Sequence, residues 1–191
     1  MKTGLVGEIL NYYFVTEAFR PETERALKEF FDLKNISSLS DMKITDAKSG
    51  HFNEWFLYDF KLRNGKSPLE HFCETNPNNW DKENIKAVKD LLINEYGPYE
   101  VLEIEPEKGL KIKNLQSNNI YEVEEHKATF QLKRGFLFFG RVGRVDNHWE
   151  LIGSDSLMMP ISFTARAKKL LFGNSEKMTP KTAIAILESR S

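Results

Sequence analysis

Residues 52–72, FNEWFLYDFKLRNGKSPLEHF, decide how the first half of the chain folds. The first part of this stretch is dense in large apolar side chains on more than one helical face. This predicts a buried helix over 52–62, with a strand as the alternative. Asn64-Gly65 tolerates the left-handed backbone of a helix C-cap, so the helix is expected to end there. The large apolar residues are Phe52, Trp55, Phe56, Leu57, Tyr58 and Phe60.

A second helix is predicted to begin at Ser67. Ser67 is a good N-cap, Pro68 suits the first helical position, and Glu70 stands three residues after the cap, as in a capping box. The helix is expected to be short because Asn76-Pro77 interrupts it.

Working outward, apolar residues recur at helical spacing in three further segments of the first half. They predict helices over 5–19, after Pro21, and over 80–96, the last capped by Asn79 and ended by Gly97-Pro98. Residues 34–50 are polar and indicate a loop or a short, weak helix.

From Tyr99 onward the pattern alternates between apolar and polar residues, which indicates strands. Short strands at regular spacing predict a small antiparallel β-barrel or rolled sheet over 99–160. The segments are YEVLEIE, GLKIKNL, IYEVEE, HKATFQL, GFLFFGRVGRV and HWELIG. Two C-terminal helices follow, a basic one near 162–172 and one opened by Thr179-Pro180. The predicted class is α+β, with a helical region at 1–98, the barrel at 99–160 and C-terminal helices at 161–191.

The chain has 191 residues and an ordinary content of apolar and charged residues, which suits a globular protein that needs no disulfide or metal for stability. Its single cysteine, Cys73, excludes an internal disulfide and favours a reducing compartment. We expect a cytoplasmic protein, because neither a signal peptide nor a membrane-spanning segment is recognisable.

The net charge is −1, but acidic and basic residues are unevenly distributed along the chain. Residues 1–126 hold 16 Lys and Arg against 23 Asp and Glu, a balance of −7, whereas residues 127–191 hold 11 against 5, a balance of +6. Such a division indicates either a basic surface for an anionic partner or compensation between the two parts.

Few residues are candidates for catalysis or metal binding. The four histidines are not spaced as a metal set, and no cofactor or phosphate-binding loop is recognised. Asp59 lies inside the aromatic run, where an unpaired charge is costly. We expect it to reach a helix cap, Arg63 or solvent, and a general-acid role for Asp59 or Glu70 in a hydrolase is the remote alternative.

A basic and aromatic segment near the middle of the predicted barrel is the candidate nucleic-acid site. Aromatic rings can stack on bases while cations contact phosphates. Strand alternation places Phe138 and Phe139 on opposite faces, so one of them is expected to fill the barrel and the other to cover an adjoining helix. The cations are Lys133, Arg134, Arg141 and Arg144.

The block from Trp55 to Phe72 resembles one in a group of uncharacterised bacterial proteins, with the pattern W-F-L-[FY]-D-[YF]-x-L-x-x-G-x-[ST]-P-L-E-x-F. The likeness continues into a glycine-aromatic strand, here Gly135–Arg141, and covers about 52–160. Some members carry a zinc-binding tail like that of the SecA translocase. The sequence does not contain that tail, so the resemblance implies no zinc and no particular activity.

These patterns favour a binding or adaptor module that uses a groove between the helical half and the barrel, with an unknown protein as partner. A nucleic-acid-binding module that uses residues 133–144 is the alternative. Its binding should weaken steeply with salt.

Overall fold

The computed structural model describes residues 4–35, 37, 44–126, 128–158 and 177–188. The chain divides into an N-terminal unit, Met1–Leu92, and a C-terminal unit, Ile93–Ser191. This division precedes the boundary expected after residue 98, because the first strand already begins at Asn94. The basic helix expected near 162–172 lies outside the described residues.

The described part of the N-terminal unit is helical. A 3₁₀ turn, Glu17–Phe19, joins the first two helices. The fifth helix begins after Asp81, whose side chain accepts a hydrogen bond from the Asn84 amide, so Asp81 and not Asn79 is the cap. The helices are α1 Leu5–Val15, α2 Arg20–Phe30, α3 Asp46–Tyr58, α4 Pro68–Thr75 and α5 Lys82–Asp90.

The aromatic stretch is helical as expected, but the predicted limits of its helix were wrong. Helix α3 begins within the segment interpreted as a loop, because the Thr45 hydroxyl accepts a hydrogen bond from the Lys48 amide and caps it. It ends at Tyr58, before Asn64-Gly65. Gly65 instead occupies a tight turn, with a φ of 80°, that leads into α4. The capping box of α4 is confirmed, with Ser67 and Glu70 bonded reciprocally.

Aromatic rings from α1, α2, α3 and α4 form the core of the N-terminal unit. Tyr13 and Phe56 are fully buried and meet edge to face, with ring centres 5.9 Å apart. Phe72 is equally buried and meets Tyr12 at 5.7 Å. The Tyr13 hydroxyl donates to the Pro68 carbonyl at 2.8 Å, so the one buried polar atom of this ring is satisfied.

The C-terminal unit holds one five-stranded sheet and, within the described residues, one helix, which confirms the α+β class. A 3₁₀ turn, Ala128–Phe130, lies where a strand over 126–132 was expected. The helix opened by Thr179-Pro180 is confirmed. The elements are β1 Asn94–Glu105, β2 Gly109–Asn114, β3 Ile120–Glu124, β4 Leu137–Val145, β5 His148–Met158 and α6 Pro180–Glu188.

Each strand pairs with two neighbours, in the closed order β1-β2-β3-β5-β4. The expectation of a fully antiparallel arrangement was wrong, because β3 and β5 run parallel, with Val123 opposite Trp149 and Glu124 opposite Glu150. An odd number of strands cannot alternate in direction around a closed order. One parallel pair is therefore required, and the other four pairs are antiparallel.

Strand β4 separates two apolar clusters, as its alternation predicted. Phe138 and Val142 belong to a cluster formed by side chains of all five strands. Leu137 and Phe139 face the opposite side and pack with Ala183 of α6. The expectation that one phenylalanine fills the sheet interior while the other covers a helix is confirmed.

Candidate functional site: a groove and a basic turn

A groove of about 450 Å³ lies on the C-terminal unit where four segments meet. These are the end of β1 with its turn into β2, the strands β2 and β3, and the turn from β4 into β5. The lining residues are Glu103, Glu105, Lys108, Gly109, Leu110, Lys111, Glu122, Val123, Glu124, Asn147, His148 and Trp149.

Apolar side chains form the base of the groove. Leu110 and Val123 are partners in the β2–β3 register and are almost fully buried. A Cβ on Gly109 would lie 2.3 Å from the Val123 carbonyl oxygen, so only glycine allows β2 and β3 to approach this closely. Half-buried Trp149 stands beside them and meets Tyr121 edge to face, with ring centres 4.9 Å apart. Because Leu110 and Val123 are each only 3% exposed, the apolar surface that the groove offers to a ligand is mainly the ring of Trp149.

The rim of the groove is acidic. Four glutamates line it against two lysines, which gives a balance of −2 with His148 neutral. Lys108 lies 3.7 Å from Glu105, and Lys111 lies 3.8 Å from Glu122, so each lysine already has a carboxylate partner. Within the described residues, neither Glu103 nor Glu124 forms an ion pair with a lysine or arginine, although Glu103 stands opposite Lys111 in the β1–β2 register. The net field at the groove thus favours cations and disfavours phosphates.

His148 holds two carboxylates at one end of the groove. Its Nε2 lies 2.7 Å from Oε1 of Glu150 and 3.6 Å from Oε2 of Glu124. The hydrogen bond between His148 Nε2 and Glu150 orients the ring, and the Glu124 carboxylate lies beside the same nitrogen. In the part of the chain that the structure describes, no group of three histidine, cysteine or carboxylate residues is arranged to hold a metal ion.

The four predicted nucleic-acid residues do not form one patch. Arg141 is only 2% exposed and donates from Nη1 to Oδ1 of Asn94 at 2.7 Å, with its guanidinium over the ring of Tyr96. It has almost no surface from which to contact a phosphate. Exposed Arg134 precedes β4, whereas half-buried Arg144 lies near its end. The extended strand between Leu137 and Arg144 spans about 23 Å.

Lys133 and Arg134 instead belong to a smaller feature, which we call the basic turn, residues 128–134. Its Phe130 is 70% exposed, and neither cation forms an ion pair with a described residue. The turn is anchored on both sides of Phe130, because Leu132 is buried against the strand cluster and Thr129 is buried beside it. Phe130 therefore protrudes from a well-held backbone.

A hydrogen bond places the basic turn next to the groove. The Thr129 hydroxyl accepts from the backbone N–H of Glu107, which lies in the β1–β2 turn at the groove's edge, and donates to the His126 carbonyl. Sequence reasoning missed Phe130. A strand over 126–132 would place Phe130 on the same face as Leu132, so the predicted alternation gives no sign that Phe130 is exposed.

The carboxylates of the opening stretch act as local structural groups. Glu70 accepts from the Ser67 amide at 2.6 Å and from Lys61 at 2.9 Å. The hydrogen bond from the Ser67 backbone, aided by Lys61, lowers the pKa of Glu70 below its ordinary value despite partial burial. A general acid needs the opposite shift. Asp59 is half-buried and is the C-cap residue of α3.

Arg63 is not the partner expected for Asp59, because it reaches another carboxylate. Glu22 is buried and accepts from the Arg63 amide at 3.2 Å, while the Arg63 side chain lies 3.6 Å away. Arg25 donates to the same Glu22 at 2.6 Å and to the Lys61 carbonyl at 2.5 Å. Glu22 thus fastens the turn between α3 and α4 to α2.

The histidine and cysteine of α4 also have structural surroundings. Nδ1 of His71 lies 2.7 Å from the Tyr13 hydroxyl, which already donates to Pro68, so the histidine supplies the proton of this second bond. Burial lowers the pKa of His71. Burial raises the pKa of the Cys73 thiol to about 11, which leaves it protonated and poorly nucleophilic at neutral pH.

No protein-family model matches the chain, and the searches of curated proteins and of solved structures also found no match. The resemblance of residues 52–160 to a bacterial group therefore stays a prediction. Among the described helices, none has the length and apolar character required to cross a membrane.

Proposed function

We propose that the chain is a non-enzymatic protein-binding module and that the groove beside Trp149 binds a basic, apolar segment of its partner. The lining of the groove carries this proposal, since the half-buried ring of Trp149 is surrounded by carboxylates that outnumber the lysines. Such a surface suits a ligand that combines an apolar side chain with one or two cations.

The strand order supports this location for the site. We infer that the sheet is a small barrel of the OB-fold type, in which ligands bind on the face of strands 2 and 3 between the first and last loops. The groove occupies the corresponding place. This topological analogy bears on where a ligand binds and not on which ligand it is. Because each strand already has two partners, recognition uses side chains and not the addition of a strand.

Fluorescence anisotropy with two matched peptides tests the proposal. One labelled peptide contains a phenylalanine flanked by lysines, and its twin carries glutamates in place of the lysines. We expect the full chain to bind the lysine peptide, and Glu103→Gln and Glu124→Gln each to weaken binding by about twofold to fivefold, as for exposed ion pairs. Glu83→Gln, an exposed change in α5, is the control and should leave affinity unchanged.

Two results would count against this function. Equal affinity for both peptides would mean that the acidic rim does not select the ligand. Binding of the lysine peptide that is unaffected by both groove variants would place the interaction elsewhere on the chain.

Nucleic-acid binding stays as a second candidate, because exposed Phe130 lies beside Lys133 and Arg134, which form no ion pair with a described residue. One aromatic ring and two cations can hold a short single strand. The neighbouring acidic groove opposes it. Filter binding of a single-stranded oligonucleotide at low salt tests this candidate, which predicts a loss of retention in Phe130→Ala and a steep decrease with added salt.

A further inference from the structure

We propose that the groove and the basic turn are two halves of one interface, so that the chain forms a two-fold dimer in which each copy inserts its basic turn into the groove of the other. This inference rests on the proposed function, since it names the partner of the same groove. It differs from that function in requiring a second copy of this chain.

The two surfaces match in apolar character. The groove offers the half-buried ring of Trp149, beside the buried Leu110 and Val123, and the segments that line it contribute no side chain that fills it. The basic turn offers Phe130, which is 70% exposed although the residues beside it are buried. A large aromatic side chain on a well-held turn is the kind of anchor that contributes most to protein interfaces when a pocket receives it.

The two surfaces also match in charge. Within the described residues, Glu103 and Glu124 on the rim form no ion pair with a lysine or arginine, and Lys133 and Arg134 on the turn form none with a carboxylate. All four side chains are exposed. Docking would pair the unmatched charges of one copy with those of the other, which gives the contact its orientation.

Phe130 does not fill the groove of its own copy. The turn is held beside the groove by the Thr129 hydroxyl and the Glu107 amide, 3.3 Å apart, and in this position the Phe130 ring remains largely exposed. As far as the described residues show, the groove of the same copy is therefore left available to a second molecule.

The adjacency of turn and groove sets the symmetry. Because the two surfaces adjoin at one end of the sheet, a two-fold axis beside them lets both contacts form at once. Such an interface is closed and stops at two copies, whereas a head-to-tail contact between the same surfaces would produce a ring or an open chain.

A charge exchange tests the proposal by sedimentation velocity on the full chain. The first variant, Lys133→Glu/Arg134→Glu, makes the basic turn negatively charged, like the groove of the same copy. The second variant, Glu103→Lys/Glu124→Lys, makes the groove positively charged, like the basic turn of the same copy. We expect wild type to dimerise with micromolar affinity, and each variant alone to be at least about tenfold weaker.

An equimolar mixture of the two variants should dimerise again, to within about threefold of wild type, because both contacts then join opposite charges. Lys82→Glu/Lys86→Glu, two exposed changes in α5, reverses as much charge elsewhere and should not affect the dimer. Phe130→Ser should also weaken wild-type dimerisation at least tenfold, and circular dichroism checks that each variant is folded.

Three outcomes would overturn the inference. Wild type that stays monomeric at concentrations where micromolar association is complete excludes the dimer. A dimer that persists in both charge variants uses another surface. If both variants are folded but their mixture does not dimerise, the basic turn does not pair with the groove. If wild type is monomeric but the lysine peptide binds, the proposed function stands and this inference alone fails.

Discussion

Two stretches, residues 52–60 and 136–142, are both rich in aromatic residues, but they pack differently: the first enters one core and the second divides between two clusters. In α3 the rings of Phe52, Trp55 and Phe56 project at successive helical angles, and all enter the same core of the N-terminal unit. In β4 the side chains of Phe138 and Phe139 project to opposite faces and enter two clusters. Composition alone indicates that these side chains are buried. Whether they enter one core or two depends on the direction of successive side chains, which differs between a helix and a strand.

The largest effect is expected for Phe56→Ala, because this ring is fully buried and contacts Tyr13 and Phe60. Loss of a fully buried phenylalanine should lower the free energy of unfolding of the N-terminal unit by about 3–5 kcal/mol. Hydrogen exchange of α3 amides measures the change for this unit separately. Phe14→Ala is the matched control, since Phe14 packs on Phe56 but is 44% exposed. Equal losses in both variants would contradict a core centred on α3.

An intermediate effect is expected for Phe139→Ala, which should act mainly on α6. Phe139 links the outer face of β4 to that helix, and its loss should cost about 3 kcal/mol, the low end for a buried phenylalanine, because partly buried Ile186 and Leu187 of α6 can move into the space. Amide protection should therefore fall in Pro180–Glu188 while the sheet keeps most of its protection. Phe138→Ala, on the inner face, should instead lower protection throughout the strands. If both variants give the same exchange pattern, β4 does not divide two cores.

The smallest effect concerns the capping box of α4, which follows residues 52–60 along the chain. Since the folded protein lowers the pKa of Glu70, its carboxylate stabilises the fold above the ordinary pKa of 4.5, and this stabilisation is lost as the pH falls through the lowered value. Glu70→Gln keeps a capping-box residue but cannot titrate. The stability of α4 should therefore depend less on pH in this variant than in wild type, between pH 5 and the acid limit of folding, as followed by urea unfolding. Identical pH profiles for the two proteins would show that the charge of Glu70 does not contribute to stability.

Local patterns predicted much of the fold. Ser67, Pro68 and Glu70 specified the start of α4 because a capping box needs only neighbouring residues. Alternation in β4 separated Phe138 from Phe139 for the same reason. The limits of α3 and α5 were misjudged. Thr45 and Asp81 are the caps that form, and Tyr96 joins a strand because it pairs with Arg141 across the sheet.

The candidate site was less accessible to prediction. Lys133, Arg134, Arg141 and Arg144 are close in sequence, but burial removes Arg141 from the surface and the length of β4 separates the others. The groove joins residues from 103–111, 122–124 and 147–149, which no spacing rule connects. Phe130 was hidden by an alternating pattern that suits a strand and yet occurs here in a 3₁₀ turn.

The sequence by itself determined the division into helices and strands, the capping box, and the aromatic residues that supply the cores, because these depend on contacts within a few positions. Only the tertiary structure decided that β3 and β5 are parallel, that Arg141 is buried, and that an acidic groove lies beside an exposed Phe130. Those features depend on which distant segments meet when the strand order closes. Closure of five strands forces one parallel pair, and that pair places Trp149 beside Val123 at the groove.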